Sequence, residues 1–312
     1  MYSVKRLRLL REVSLRGTLA AAAEALGYNA SSVSHQLKLL EQEVGAPLLE
    51  PVGRKVRLTE EARILVEHAE AIFRHLEAAE ADIALARETV RGTVRVACFQ
   101  TAGHAVIPSA LRALQEEHPA LDVTVAQISV EDALPALLAR DFDLVLQEDY
   151  PGHPQMTVEG ADITAAGLDR LWLVTHETAG RVQLQDLSNA AWVLEPEGTL
   201  ARRWATAACR GAGFEPHVRL VSSDVMLHIR LVAAGLGVAL VPGLALEAGR
   251  LEGVTVHDLS GRPARRIAIA TRSGSGRSPA IAAVRQAIFR EIAEKLAAGN
   301  PAASSIRARL RA

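Results

Sequence analysis

Apolar positions in the first sixty residues recur at helical intervals. Val4, Leu7, Leu10 and Val13 sit three apart until Gly17 and Thr18 interrupt them, predicting one helix. Thr18 is placed to cap an Ala-rich helix that runs to Leu26 and ends at Gly27. Asn29 is placed to cap a third, whose apolar residues Val33, Leu37 and Leu40 follow the i, i+4, i+7 rule. The other face of that helix carries Ser31, Ser34, His35 and Lys38, with Ser32 at its edge. Two short helices about a tight turn, the second polar on its outer face, read as a helix-turn-helix. Past Gly45, Val56 and Leu58 alternate with Lys55 and Arg57 beyond a Gly53-Arg54 turn, predicting a small β-wing from Pro51 to Thr59.

Thr59-Glu60-Glu61 then opens a long stretch without Gly or Pro until Gly92. On it Ala62, Leu65, Ala69, Ile72, Leu76, Ala79, Ile83 and Ala86 alternate steps of three and four, a heptad seam. A helix of about 30 residues spans about 45 Å, too long for the interior of a small domain, so pairing with a second chain is expected. Leu65, Ile72, Leu76 and Ile83 are the expected dimerisation residues. From Gly92 onward, strand-like runs such as Val94–Cys98, Val123–Ile128, Leu144–Gln147, Leu171–Thr175 and Ile267–Thr271 alternate with helical stretches, including Ala105–Glu117. That order predicts parallel sheets with helices on both faces. About 200 residues of it suit two lobes. The tail 299–312, with Pro301, paired serines and three arginines, is expected to be disordered.

Composition sharpens this picture in one respect. The chain of 312 residues carries a net charge of −1, but residues 1–58 hold nine bases and five acids. That segment is +4 and the remainder −5, so only the head is expected to meet a polyanion. No apolar run approaches the roughly 18 residues of a membrane span, and the first residues read as a charged helix rather than a leader. A cytoplasmic protein is expected. Two cysteines, Cys98 and Cys209, cannot build a disulfide framework or a four-ligand zinc site.

Taken together, Gly17-Thr18-Leu19, Ala22-Ala23, Leu26-Gly27-Tyr28, Ser31 through Leu37, Leu40-Glu41, Gly45, Pro47 through Glu50, Gly53-Arg54 and Val56 through Thr59 resemble the DNA-binding signature of LysR-type transcriptional regulators. Ile107-Pro108, His118-Pro119, Asp143-Leu144 and Gly235 through Pro242 resemble the effector domain of the same family. The resemblance implies an α/β protein with a winged helix-turn-helix over 1–58, a linker and dimerisation helix over 59–91, and a two-lobed effector domain over 92–298 similar to periplasmic binding proteins. Lobe I would span about 92–160 with 268–298, and lobe II about 161–267. It also implies homodimers or homotetramers on double-stranded promoter DNA, tuned by a small-molecule effector, with no cofactor and no membrane partner.

DNA contact is expected from Thr18, Asn29, Ser31, Ser32, Ser34, His35 and Lys38, with Arg54 on the wing suited to a narrow minor groove. Ala30 and His35 depart from the family's common residues, and Ala30 can touch a thymine methyl but cannot hydrogen-bond a base. Pro51 replaces a common Arg and removes one phosphate contact. In the body, strand-to-helix junctions at Gln100-Thr101, Gly198-Thr199 and Ser222-Ser223 present helix N-termini that suit an anionic head. The family's habit places effectors there, at Gln100, Thr101 and Ala102, with Thr199 and Ser223 approaching from the opposite lobe; Thr199 and Ser223 serving only as helix caps stays open. Trp192 and Trp204 either line the cleft or pack the core. Cys98 reads as an inert core thiol, and Cys209 is the better redox candidate. His68 and His75 lie seven apart without a zinc motif, and no G-x-S-x-G elbow occurs. The alternative reading is a solute-binding or sensing protein without regulatory DNA binding, and an enzyme would need a catalytic constellation that the sequence does not display.

Overall fold

The computed structural model describes residues 1–52, 55–86, 90–152, 157–177, 182–248 and 251–298. Arg54 and the tail 299–312 lie outside the described residues. The chain divides into two units, Met1–Ala86 with Ser273–Arg277, and Arg87–Arg272 with Ser278–Ala312.

In the first unit, α1 (Val4–Arg16), α2 (Leu19–Ala25) and α3 (Ala30–Val44) precede strands β1 (Leu49–Val52) and β2 (Lys55–Leu58). The strands form an antiparallel ribbon, Leu49 opposite Leu58 and Val52 opposite Lys55. The expected caps are present: Thr18 accepts from the Ala21 N–H at 3.1 Å and Asn29 from the Ser32 N–H at 2.7 Å. Leu7, Leu10, Ala22, Val33, Leu37, Leu40 and Leu48 close one core. Each fully buried Leu or Val there contributes about 1.5–3 kcal/mol relative to exposure. Glu41 ties the ribbon to α3 by accepting the Leu48 N–H at 2.8 Å. Helix α4 (Glu60–Ala86) follows, 27 residues and about 40 Å long.

The second unit opens with β3 (Gly92–Cys98), α5 (Gln100–Ala105), α6 (Ile107–Glu117), β4 (Leu121–Gln127), α7 (Val130–Leu138), β5 (Leu144–Asp149) and β6 (Ala161–His176). The helix expected over Ala105–Glu117 is broken at Val106, because Pro108 has no N–H to donate and suits the first turn of a new helix. Next come β7 (Ala191–Leu194), α8 (Leu200–Gly211), β8 (His217–Val221), α9 (Val225–Ala233), β9 (Ala239–Pro242), α10 (Gly243–Ala248), β10 (Val254–Asp258), β11 (Ala264–Arg272) and α11 (Pro279–Ala298).

The sheet is mixed rather than parallel. β3 pairs in parallel with β4 and β5, but β11 is antiparallel to β5 and β6, and β6 is antiparallel to β9 and β10. β6 runs through both lobes: residues 161–170 pair with β11, and residues 171–176 with β9 and β10. One lobe packs α6 and α11 on β3, β5 and β11 through Val96, Leu144, Leu146, Ile269 and Ile288. The other buries Trp192, Leu194 and Cys209 against α8, and Val193, Ile229 and Val241 against α9. Trp192 is therefore a core residue. Its neighbour strand approaches so closely at Gly237 that a Cβ would lie 2.8 Å from the Ala191 carbonyl oxygen. Among the described residues no helix is long and apolar enough to cross a membrane.

Candidate nucleic-acid interface and interlobe cleft

Helix α3 buries Val33, Leu37 and Leu40 and leaves Ser31, His35 and Lys38 exposed, with Ser32 and Ser34 half-buried. The apolar stripe thereby fixes which face points outward. Ser31 donates to the Asn29 side chain at 2.8 Å, so Asn29 and Ser31 together order the first turn. Four of the head's nine basic residues are paired internally among the described residues. Arg6 pairs with Glu43 and donates to Gln36, Arg16 pairs with Glu12 at 3.1 Å, and Arg57 pairs with Glu50 at 2.6 Å. Arg11 and Glu12 are both buried, and Arg11 also pairs with Glu70 on α4. Lys38 is exposed and makes no ion pair among the described residues.

The seam of α4 divides in two. Ala62 and Ala69 are buried in the winged-helix core with Phe73, and Leu65 packs half-buried against it. Leu65 thus serves its own chain. Ile72, Leu76 and Ile83 are 39%, 45% and 56% exposed, an apolar row on a polar helix.

In the second unit a cavity of about 270 Å³ lies between the lobes. The N-terminal turns of α5, α7, α8 and α9 all reach it, contributing Gln100, Ser129, Thr199 and Ser223 among others. Gln100 bridges the lobes, donating to the Asp224 carboxylate at 2.6 Å and accepting the Val225 N–H at 2.9 Å. Burial works against the Asp224 carboxylate, but bonds from Gln100, Leu227 and Met226 hold it below its usual range. Thr199 caps α8 by accepting the Arg202 N–H at 3.2 Å, whereas α9 is capped by Asp224 and not by Ser223.

Two expected effector contacts are placed differently. Ala102 is fully buried in the lobe core and is absent from the lining, because α5 turns that side of its short turn inward. Thr101 borders the cavity, but its hydroxyl accepts from Arg265 at 2.6 Å and is 98% buried with it. Trp204 packs at 5.8 Å from Tyr150 in the lobe core rather than lining this cavity.

The group that sequence reading missed is a buried charge cluster. Arg265 donates through Nε to Asp169 at 2.9 Å and through Nη1 to Glu148, and its guanidinium lies 5.0 Å over the Phe99 ring. Arg265 on β11 sits directly opposite Asp169 on β6. Asp169 also receives the Leu244 N–H at 3.2 Å, an approach that Gly243 permits, since a Cβ there would stand 2.7 Å from the carboxylate. Burial pushes the Glu148 and Asp169 carboxyls upward against the pull of Arg265. Glu195, lining the same cavity, is raised to about 7 by burial and by the charge of Glu148. Both cysteines are buried, and burial raises the Cys98 thiol to about 11 and the Cys209 thiol to about 12.

Comparison with known proteins agrees with this geometry. A model described as the bacterial regulatory helix-turn-helix protein, lysR family, matches residues 4–63, and one described as the LysR substrate binding domain matches residues 87–293. The transcriptional dual regulator GltC of Bacillus subtilis is 30% identical over 77% of this chain and 80% of its own. A probable hydrogen peroxide-inducible genes activator of Mycobacterium avium is 29% identical over 87% of this chain and 88% of its own. Among solved structures, a full-length OxyR variant from Pseudomonas aeruginosa matches with a TM-score of 0.69 at 20% identity, covering 92% of this chain and 95% of that one. CbnR complexed with its target DNA matches with a TM-score of 0.52 at 24% identity, over 93% and 100% of the two chains. These two share the fold.

Proposed function

This chain belongs to the LysR family of transcriptional regulators, and on that premise we propose how its residues divide the work. Residues 1–58 bind promoter DNA, 59–91 assemble the oligomer, and 92–298 sense a small molecule, with the lobe boundary inside β6. Helix α3 enters the major groove with His35, Ser31 and Ser34 toward base edges. Lys38 neutralises phosphate. Thr18, Asn29 and Ser32 order the helix starts that flank the groove. Ile72, Leu76 and Ile83 meet their counterparts in a second copy, which would cover apolar area that water now meets. The protein acts in the cytoplasm as a regulator and not as an enzyme.

The effector site is the interlobe cavity, with Gln100, Thr199 and Ser223 at its rim. A ligand that competes for Gln100 breaks its bridge to Asp224 and Val225 and changes how the lobes close. The observation that carries the regulatory reading is the outward polar face of α3, fixed by a buried stripe and by two working caps.

A shift assay across a salt series tests it. Lys38→Ala should weaken binding to specific and random duplex alike and lower the salt slope by about one. His35→Ala should instead relax discrimination at one base pair, by about 1–3 kcal/mol. Equal losses for both variants on both duplexes would remove the assignment of α3 as the reading helix.

A further inference from the structure

The helix N-termini around the cavity invite an anion, yet the side chains that line it carry the opposite sign. Among the described residues Arg265 is the single cationic side chain of the lining, and it is 98% buried. Its guanidinium is already committed to Asp169, Glu148 and Thr101, with Nη2 at 2.8 Å from Asp169 and 2.6 Å from Thr101. No free fork is left to clasp a ligand carboxylate. Around it stand Glu148 on β5, Glu131 on α7 and Glu195 after β7 in the lining, with Asp169 on β6 behind. Two of these carboxylates pair with the guanidinium, and Glu131 and Glu195 add two more acids to the lining with no cation paired to them there among the described residues.

Helix dipoles do not reverse this balance. Each N-terminus is equivalent to about half a positive charge, felt within one turn. Here the chain's own groups already occupy three of those turns. Ser129 accepts the Asp132 N–H, Thr199 accepts the Arg202 N–H, and Asp224 and Gln100 accept the first N–H groups of α9. Glu131 and Asp132 add two acids to the first turn of α7. Glu195 reports the resulting field: burial and the neighbouring Glu148 lift it to about 7, and a cation placed beside it would lower it again.

Size and shape narrow the ligand further. The cavity of about 270 Å³ holds about nine non-hydrogen atoms at roughly 30 Å³ for each water-sized group. Phe99, Ile128, Val130 and Leu200 supply apolar wall. Among the described residues no three acidic, His or Cys side chains are grouped to hold a metal ion. We propose that this cleft takes a small organic cation, an effector bearing a protonated amine or guanidinium that Glu195, Glu148 and Glu131 receive. The proposal rests on the cleft being the effector site and names the chemistry it selects.

Calorimetry on the full chain tests it, with 1,5-diaminopentane and L-lysine as cationic probes and glutarate as an anion of matching length. The cationic probes should bind wild type, and Glu195→Gln should weaken them at least tenfold, with Glu131→Gln weaker in effect because it is exposed at the mouth. Affinity should rise between pH 6 and 8 by up to tenfold per unit below 7, as Glu195 ionises among Glu148, Glu131 and Arg265. Leu200→Trp fills the cavity and should abolish binding while thermal unfolding shows the fold intact. If glutarate binds and is lost only in Leu200→Trp, the cleft stands and the cation inference falls. If a probe binds wild type and Leu200→Trp equally, the cleft reading itself falls. Failure of every cationic probe to bind wild type also overturns the inference.

Discussion

Replacing Arg265 with methionine keeps most of the side-chain volume and removes the charge at the centre of the buried cluster. The variant strands Asp169 and Glu148, which face Arg265 from the two strands flanking β11, and it takes the donor from Thr101. Breaking a buried pair by removing one partner costs about 3–5 kcal/mol, because the other charge stays buried and unpaired. For a domain of about 200 residues each kcal/mol moves Tm by about 2–4 °C, so the effector-domain transition should fall by about 6–20 °C. The loss should depend on pH. Burial already raises both carboxyls, and without the cation they rise further. The folded variant then binds protons that the unfolded chain releases, so its stability falls as pH rises through the folded-state values. Calorimetric scans should therefore show a larger deficit at pH 8 than at pH 5. Adding Glu148→Gln and Asp169→Asn to Arg265→Met should recover most of the loss. Equal deficits at both pH values, with no recovery in the triple variant, would show that Arg265 acts by packing over Phe99 and not by charge.

Two further outcomes follow from the exposed and the buried residues. Ile72→Glu should give smaller species in sedimentation velocity, while Glu67→Lys, exposed on the opposite side of α4, should leave the oligomer unchanged; an unchanged Ile72→Glu oligomer would show that the exposed row is not the interface. With thiols at about 11 and about 12, Cys98 and Cys209 hold about one part in ten thousand or less as thiolate at pH 7, so brief peroxide treatment should leave both unmodified by mass spectrometry, and a sulfenic acid on either would contradict the burial argument.

The features legible in the sequence are those whose physics is local. Thr18 and Asn29 cap because a short oxygen-bearing side chain meets an N–H three residues on, whatever surrounds it. The apolar cores of β3, β5 and β11 are equally plain, since each centres on branched residues: Val94 and Val96, Leu144 through Leu146, and Ile267 and Ile269. The first half of β6 is not: Ala165, Ala166 and Gly167 have low strand propensity, and only β11 alongside draws them into the sheet. The charge cluster is harder still, because Glu148, Asp169, Glu195 and Arg265 lie on four separate segments. Its trace is a charge interrupting an apolar strand, as in Leu144-Val145-Leu146-Gln147-Glu148. That trace marks a buried partner without saying where it lies.

The linker helix shows why period alone does not name a partner. Ala62, Leu65 and Ala69 share the heptad with Ile72, Leu76 and Ile83, yet the first three pack in their own winged helix. Side-chain size separates them. Two alanines let α1 come close enough for Arg11 to reach Glu70 and for Phe73 to enter the core. From Ile72 on, the seam includes the large residues Ile72, Leu76 and Ile83, which stand exposed beside that buried face. A surface of this kind on a polar helix is stable in water only at the expense of apolar area left wet, roughly 25 cal/mol for each Å². In the proposed assembly a second copy presenting the same row in reverse would recover that area symmetrically. The small end of the heptad thus packs into the winged-helix core, and the large end is the row proposed to couple two copies.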